Sequence, residues 1–467
     1  MFRKVYVIFQ FDVEDFLTPE TDGILLKLAE TMRELGVKAS FCIVGEKARM
    51  IIKRKRLDVR DALKEQDIAY QSNYHSVHPV ISEYLSTKSW RDGVLEIKYR
   101  ESKGIEDLMK IFGVKPSAFI QPGGSWAPQT PYAMRQLGIP VYADGIFESD
   151  PYWFCGSICL KAAIFFPEHA TKDDLEKLKS IFEKIFSLKK VYGGLITIVL
   201  HPCMFLTKKF WDALNFANGM NLKGSKIVRP ELRSIPEVNE SLDNFKEFVK
   251  FILTFDNVKV ITFRDLPKIY SDEKRFLSFK QVVDIAYRAT RKNDWQILNN
   301  FSLSPAEILR LLVDVIDKLK YNIKPECIPV KFTLGPTEKI ASLKSKIVLS
   351  RREILKVCRA AKSFIDQTGR IPSEEKINKH RLGPADILKV SAEAVAFYGL
   401  NGSLPEEVEV EGSSQFPEVI KRWNLQKRIE SQWRWVILPR NFRSKKIEEL
   451  TLLQSWTIRP ACIQDLT

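Results

Sequence analysis

Histidine and cysteine are scarce in this chain, with five and seven copies in 467 residues. The cysteine count is odd, no CxxC pair occurs, and the nearest two, Cys155 and Cys159, are four apart. That excludes a disulfide framework and fits reduced, mostly buried thiols in a reducing compartment. No apolar stretch approaches the 18 or so residues that a membrane span requires. The start of the chain has no basic segment, apolar run and small-residue cleavage site in sequence. Met1-Phe2-Arg3-Lys4 leads directly into a strand-like run, so a cytoplasmic location is expected.

What is present is ample material for burial. Hydrophobic residues make up 45% and aromatic residues 11% of the chain, which argues against bulk disorder. The length exceeds one ordinary core, so two domains are expected, 1–270 and 271–467. The net charge is +15, from 73 Lys and Arg against 58 Asp and Glu. The excess is spread along the chain. Runs such as Lys53-Arg54-Lys55-Arg56 read as solvated helix faces, and without a nucleic-acid motif a nucleic-acid partner is not expected.

From residue 4 to about 270, short runs rich in Val, Ile, Phe and Tyr alternate with helical patterns. The predicted strands are Val5–Phe11, Lys38–Val44, Ile68–Asn73, Ser117–Gln121, Pro140–Ala143, Ile158–Phe165, Leu195–Leu200 and Val258–Phe263. Between them, apolar residues recur at helical spacing. Ile24, Leu25, Leu28, Met32 and Leu35 share one face of a helix that stops at Gly36. Another helix is predicted across Glu83–Phe112. Such alternation implies an α/β domain with a parallel sheet, open or closed into a barrel.

The informative polar residues follow the strands. Asp12, Glu14 and Asp15 follow the first, and His75 and His78 the third. Gln121-Pro122-Gly123-Gly124 follows the fourth, Asp144 the fifth and His201 the seventh. In parallel α/β folds these strand ends converge on one rim, where active sites are built. Three of the five histidines fall there. Asp12, Glu14 and Asp15 crowd three carboxylates into four residues, which calls for a compensating cation or a shared proton. The alternative is that one of the aspartates caps a turn. His75 and His78, three apart, suit one metal if a tight turn brings them together, and two His with one carboxylate is a known Zn²⁺ or Fe²⁺ ligand set. His201, delivered by an apolar strand, suits a general acid that protonates a leaving amine.

In this order the motifs resemble the polysaccharide deacetylases (NodB-type, carbohydrate esterase family four). Gln10-Phe11-Asp12-Val13-Glu14-Asp15 is similar to that family's Thr-Phe-Asp-Asp-Gly, and Val37-Lys38-Ala39-Ser40-Phe41 to its Val-Lys-Ala-Thr-Phe. Gln121-Pro122-Gly123-Gly124-Ser125-Trp126 and Leu200-His201-Pro202 resemble the third and fifth motifs. The resemblance covers about residues 1–270 and implies a deformed (β/α) barrel. It implies Asp12 as general base and His201 as general acid. It also implies a divalent transition metal, zinc above all, held by Glu14 or Asp15 with His75 and His78. Gln121, Pro122, Gly123, Trp126 and Asp144 would contact substrate, with backbone N–H groups near Pro122-Gly123 supplying part of an oxyanion hole. Two departures stand out. The family's His-Ser/Thr-x-x-His either aligns on Gln71…His75, with Gln at the first ligand, or on His75…His78, one residue short. Gln121 also replaces the usual Arg of the third motif.

After Ser271 helical patterns dominate, with a weak two-fold repeat. Helix, linker and a Ser-Pro-Ala-Glu or Gly-Pro-Ala-Asp helix start recur at Ser304–Glu307 and Gly383–Asp386. Thr368-Gly369-Arg370-Ile371-Pro372-Ser373 resembles the linker of pseudomurein-binding repeats. Trp423, Trp433, Trp435 and Trp456, set among basic residues, suit stacking on sugars or bases, or an interdomain seam. The expected function is metal-dependent hydrolysis of a carbon–nitrogen amide bond, with an acetylated amino sugar, oligosaccharide or related small amide as substrate. The alternative is a catalytically degenerate carbohydrate-binding protein.

Overall fold

The computed structural model describes residues 3–271, 275–412 and 414–463. The chain divides into two compact units. The first comprises Met1–Tyr152, Ser157–Tyr270 and Ile429–Ile447, and the second Trp153–Gly156, Ser271–Arg428 and Glu448–Thr467. Residues 429–447, expected in the C-terminal domain, therefore belong to the first unit.

The first unit is an α/β fold on a parallel sheet. Its strands are β1 (Val5–Val13), β2 (Ser40–Ile43), β3 (Asp67–Tyr70), β4 (Ala118–Ile120), β5 (Val141–Ala143), β6 (Ser157–Leu160), β7 (Ile164–Phe165), β8 (Gly194–Leu200) and β9 (Val258–Val260). They run in the order β6-β5-β4-β3-β2-β1-β8-β7, with β9 beside the first residues of β1, and every neighbouring pair is parallel. All residues of β1 and β8 are buried, as expected of apolar strands covered on both faces. The helix Asp22–Glu34 buries Ile24, Leu25, Leu28 and Met32 on one face, and Gly36 at φ +69 ends that turn. Where one helix was predicted over Glu83–Phe112 there are two, Ile81–Tyr84 and Trp90–Phe112. Ser89 caps the longer one by accepting from the Asp92 N–H, and Gly113 stops it in the left-handed conformation.

The sheet curls. Gln10 on β1 donates from Nε2 to Asp144 Oδ2, just past β5, at 3.2 Å, although four strand steps separate β1 from β5. The predicted strand Ile158–Phe165 is instead two strands far apart in the sheet order: β6 pairs β5, and β7 pairs β8. Lys161, Ala162 and Ala163 carry the chain across between them, the Ala163 N–H donating to Thr197 O at 2.8 Å. The unit is thus a deformed (β/α) barrel whose seam is bridged by covalent chain. Phe9, Phe11, Phe166 and Phe245 form a buried edge-to-face cluster against the strands.

The second unit is mainly helical and its repeat is more complete than the sequence pattern. Strand Phe276–Leu277, helix Phe279–Ala289, hairpin Gln296–Ile297/Ser302–Leu303, helix Pro305–Leu319 and strand Ile328–Pro329 make one copy, its first and last strands paired antiparallel. Ile347–Ser350, Arg351–Thr368, Glu375–Ile377/His380–Leu382, Pro384–Asn401 and Glu407–Val410 repeat that order and pairing. The two Pro-Ala-acid starts act alike. Glu307 Oε2 accepts from the Ser304 N–H and Asp386 Oδ2 from the Gly383 N–H, both at 2.9 Å. Trp423 and Trp456 are buried in this unit and offer no open stacking surface. Among the described residues no helix is long and apolar enough to cross a membrane.

Candidate active site

At the C-terminal ends of the strands lies a cleft of about 540 Å³, built wholly from residues of the first unit. Asp12 and Glu14 reach it from β1, Gln71 and His75 from the loop after β3, and Gln121 and Gly123 from the loop after β4. Asp144 follows β5 and His201 follows β8. This convergence follows from parallel strand direction. Three non-glycine residues of these loops, Ser72, His75 and Asp144, sit at φ +64, +52 and +74. Each costs about 1–2 kcal/mol, and surrounding bonds hold them: the His75 N–H donates to Ser72 Oγ at 2.9 Å and the Asp144 N–H to Leu160 O at 2.8 Å.

Asp12 lies at the centre. The Gln10 amide spans two carboxylates, donating to Asp12 Oδ1 at 2.9 Å and Asp144 Oδ2 at 3.2 Å. Burial, with the nearby charges of Asp144 and Glu14, pushes the Asp12 carboxyl well above the usual aspartate range. Burial also raises Asp144, opposed by the Gln10 hydrogen bond and the charge of Lys161. His201 Nε2 stands 3.9 Å from Asp12 Oδ2, its ring edge-on to Phe210 and its side chain 27% exposed. Asp12 and His201 thus meet at one end of a solvent-reachable space.

Behind them is a chain of polar contacts. His75 Nε2 is 3.0 Å from Glu14 Oε2, and His75 Nδ1 is 2.6 Å from Ser76 Oγ, which donates to Asp212 Oδ2 at 2.9 Å. Because Ser76 gives its proton to Asp212, it accepts one from His75 Nδ1–H. Burial disfavours a charged ring here, but the Glu14 carboxylate outweighs it and raises the His75 pKa. In return His75 holds Glu14 below the usual range against burial.

The expected metal ligands do not assemble. Glu14 and His75 come together, but Asp15 and His78 do not join them. Asp15 Oδ1 accepts from the Leu17 and Thr18 N–H groups, both at 2.9 Å, which is the turn-capping role. His78 turns away, with Nδ1 2.6 Å from Glu83 Oε2 and Nε2 2.8 Å from Phe216 O, so both ring nitrogens are engaged. Gln71 takes the remaining place in the cleft. Among the described residues its buried Oε1 has no hydrogen-bond partner, and as a neutral amide oxygen it is a weak metal ligand. Among the described residues no three His, Cys, Asp or Glu side chains are grouped as a metal requires. A catalytic zinc takes three protein ligands, and the residues present do not fit one.

The third-motif loop also differs from expectation. Trp126 is fully buried, edge-on to Tyr142 and Phe147, and Pro122 is likewise buried; neither lines the cleft. Gln121 does, donating to Gly123 O at 2.6 Å and accepting from Tyr142 Oη at 2.9 Å. A Cβ on Gly123 would lie 2.2 Å from Trp435 Cε2, and one on Gly124 would lie 1.9 Å from Gln432 O. The glycine pair therefore admits a close approach by residues 429–447.

Sequence reasoning missed Lys161, Asp212, Gln432 and Arg434, which all line the cleft, and had Trp435 only as one of four stacking candidates. Lys161 lay inside a run read as unbroken strand. Asp212 and Trp435 carry no local motif. Trp433 is buried against Phe442, so of the four tryptophans singled out only Trp435 reaches the cleft.

No family model matches the sequence, and no curated protein does. Solved structures do. The chain is similar to a protein of Mycobacterium smegmatis described as a polysaccharide deacetylase, at 15% identity over 57% of this chain and 90% of that one, with a TM-score of 0.37. It is similar to Puue allantoinase at 10% identity over 58% and 92%, TM-score 0.40. It is also similar to the Bacillus subtilis peptidoglycan deacetylase PdaC at 14% identity over 57% and 91%, TM-score 0.30. These matches cover somewhat more than half of the chain.

Proposed function

We propose that the first unit hydrolyses a carbon–nitrogen amide bond in a small polar substrate, an acetylated amino sugar being the leading class. One observation carries this reading: Asp12 and His201 meet at 3.9 Å in an open cleft, with Asp12 buried so that its carboxyl holds a proton more tightly than usual. Such a carboxylate is a stronger base than an exposed one. Asp12 takes a proton from water as the water oxygen attacks the amide carbonyl. His201 gives a proton to the nitrogen as the carbon–nitrogen bond breaks, leaving a carboxylic acid, which ionises in solvent, and an amine. Lys161, which lines the same cleft, supplies positive charge for the oxyanion. Asp144 and Gln10 hold Asp12 in position. No step is routed through a metal, since the residues do not fit one.

A second reading, a binding scaffold without turnover, is favoured by Gln71 and by the turned-away His78. Amine release from N-acetylated amino sugars, with and without chelator, separates the two. Turnover that disappears in Asp12→Asn and His201→Ala, with both variants still folded, supports the hydrolase. Full activity in either variant overturns the mechanism. Saturable binding without turnover in the unaltered protein establishes the scaffold.

A further inference from the structure

Residues 429–447 return to the first unit after the intervening chain and set Gln432, Arg434 and Trp435 on the wall of the cleft. Their seating is tied on both sides. Gln432 Oε1 accepts from Gln121 Nε2 at 2.8 Å, and its Nε2 donates to Gly145 O at 3.3 Å. The N–H groups of Asn218 and Gly219 donate to Val436 O and Ile437 O at 2.9 and 3.0 Å, and Ser444 Oγ donates to Ser86 O at 2.6 Å. Between these ties Trp435 lies over the glycine pair and meets the His75 ring edge-on, centroids 5.8 Å apart and planes at 87°. Arg434 beside it is exposed, and among the described residues no carboxylate lies within ion-pair distance of its guanidinium.

The cleft interior is acidic, with Asp12, Glu14, Asp144 and Asp212. A cation placed at its mouth but answered by none of them serves something that comes from outside. A guanidinium presents paired N–H donors to a carboxylate or phosphate. An indole offers a rigid flat surface to a ring. We propose that Arg434 and Trp435 select, among N-acyl amides, cyclic substrates that carry a carboxylate or phosphate on the ring. The acyl-amide part rests on the hydrolase reading; the anion preference does not.

The test is calorimetric binding of N-acetylglucosamine, its 6-phosphate and the corresponding 6-carboxylate to the full chain. One charge-assisted pair makes the anionic ligands bind about tenfold tighter than the neutral sugar at low salt. Arg434→Ala brings the three within about twofold of one another, Arg434→Lys restores part of the difference, and Trp435→Ala weakens all three about tenfold. A preference for the phosphate alone, or for both anions, tells which group the site takes. Equal affinities in the unaltered protein, a preference that survives Arg434→Ala, or no binding of any of the three overturns the proposal. Because binding is read apart from turnover, absent hydrolysis with an intact anion preference sinks only the hydrolase reading. Hydrolysis with no preference sinks only this one.

Discussion

Gly124→Ala tests whether residues 429–447 are seated as described. Gly124 has ordinary backbone angles, so the added methyl acts through contact alone. Its Cβ would stand 1.9 Å from the Gln432 carbonyl oxygen, and Cβ contacts under 3.0 Å essentially never occur, so backbone has to move by roughly 1 Å. Two responses are open. If the loop stays compressed, overpacking costs about 1–3 kcal/mol. If residues 429–447 lift away, Gln432 loses its bonds to Gln121 and Gly145, about 1 kcal/mol each, along with the Trp435 packing. The two routes together span a destabilisation of about 1–4 kcal/mol, or about 2–8 °C in the melting midpoint of a unit this size. Hydrogen exchange read by mass spectrometry distinguishes them, since lifting exposes the amides of residues 429–447 specifically. Gly23→Ala is the control. Gly23 lies in the helix Asp22–Glu34, and an added methyl there would meet nothing within 4 Å, so the change is expected to stabilise by about 0.5–1 kcal/mol. A Gly124→Ala protein that melts with the unaltered one and shows unchanged exchange would refute the seating, and with it Trp435 as a wall of the cleft.

Four further outcomes are expected. Glu101 is buried, accepting from Tyr70 Oη at 2.6 Å and the Asn73 N–H at 2.8 Å, and burial pushes its carboxyl up to about 7. The folded state then binds more protons than the unfolded state between roughly pH 4.5 and 7. Stability falls as pH rises through that window, by about 3 kcal/mol, and Glu101→Gln should flatten that fall in a melting series. Glu307 is buried between Arg275 and Arg459 at 2.6 and 3.0 Å, so Glu307→Ala removes the carboxylate that both buried guanidiniums face and should cost about 3–5 kcal/mol by denaturant unfolding. His78→Ala should lower the melting midpoint yet leave cleft ligand affinity unchanged, whereas His75→Ala should impair it. Elemental analysis of the unaltered protein should find less than one equivalent of zinc; a full equivalent lost in His78→Ala would overturn the placement of that ring.

The first unit's layers were legible because apolar runs of strand length and helices with a single apolar face are local patterns. β1, β8 and the Asp22–Glu34 helix fall nearly where those patterns put them. The rim was legible for a similar reason: parallel strand direction places Asp12, Asp144 and His201 at one end, whatever the packing. His75 and His78 show where this stops. Both follow β3, but a loop with Ser72 and His75 at positive φ sends one ring to the cleft and the other to Glu83 and Phe216. Asp15 had two open roles in the sequence, and two nearby N–H groups decided between them.

Other features depended on contacts between residues far apart in the chain. The break at Lys161 follows from β6 and β7 finding different partners far apart in the order of a curled sheet, while the segment itself reads as one strand-like run. Gln432 meets Gln121 across 311 positions, and nothing near either residue signals the other. The sequence by itself determined the element types, their order and the carboxylate–histidine chemistry at the strand ends, because backbone propensity and side-chain period act over a few residues. Tertiary structure decided which histidine faces the cleft, that Asp15 and His78 stay apart from Glu14 and His75, and that Arg434 and Trp435 complete the wall. Those outcomes depend on curvature, loop conformation and close approach at Gly123 and Gly124, which are properties of the packed chain.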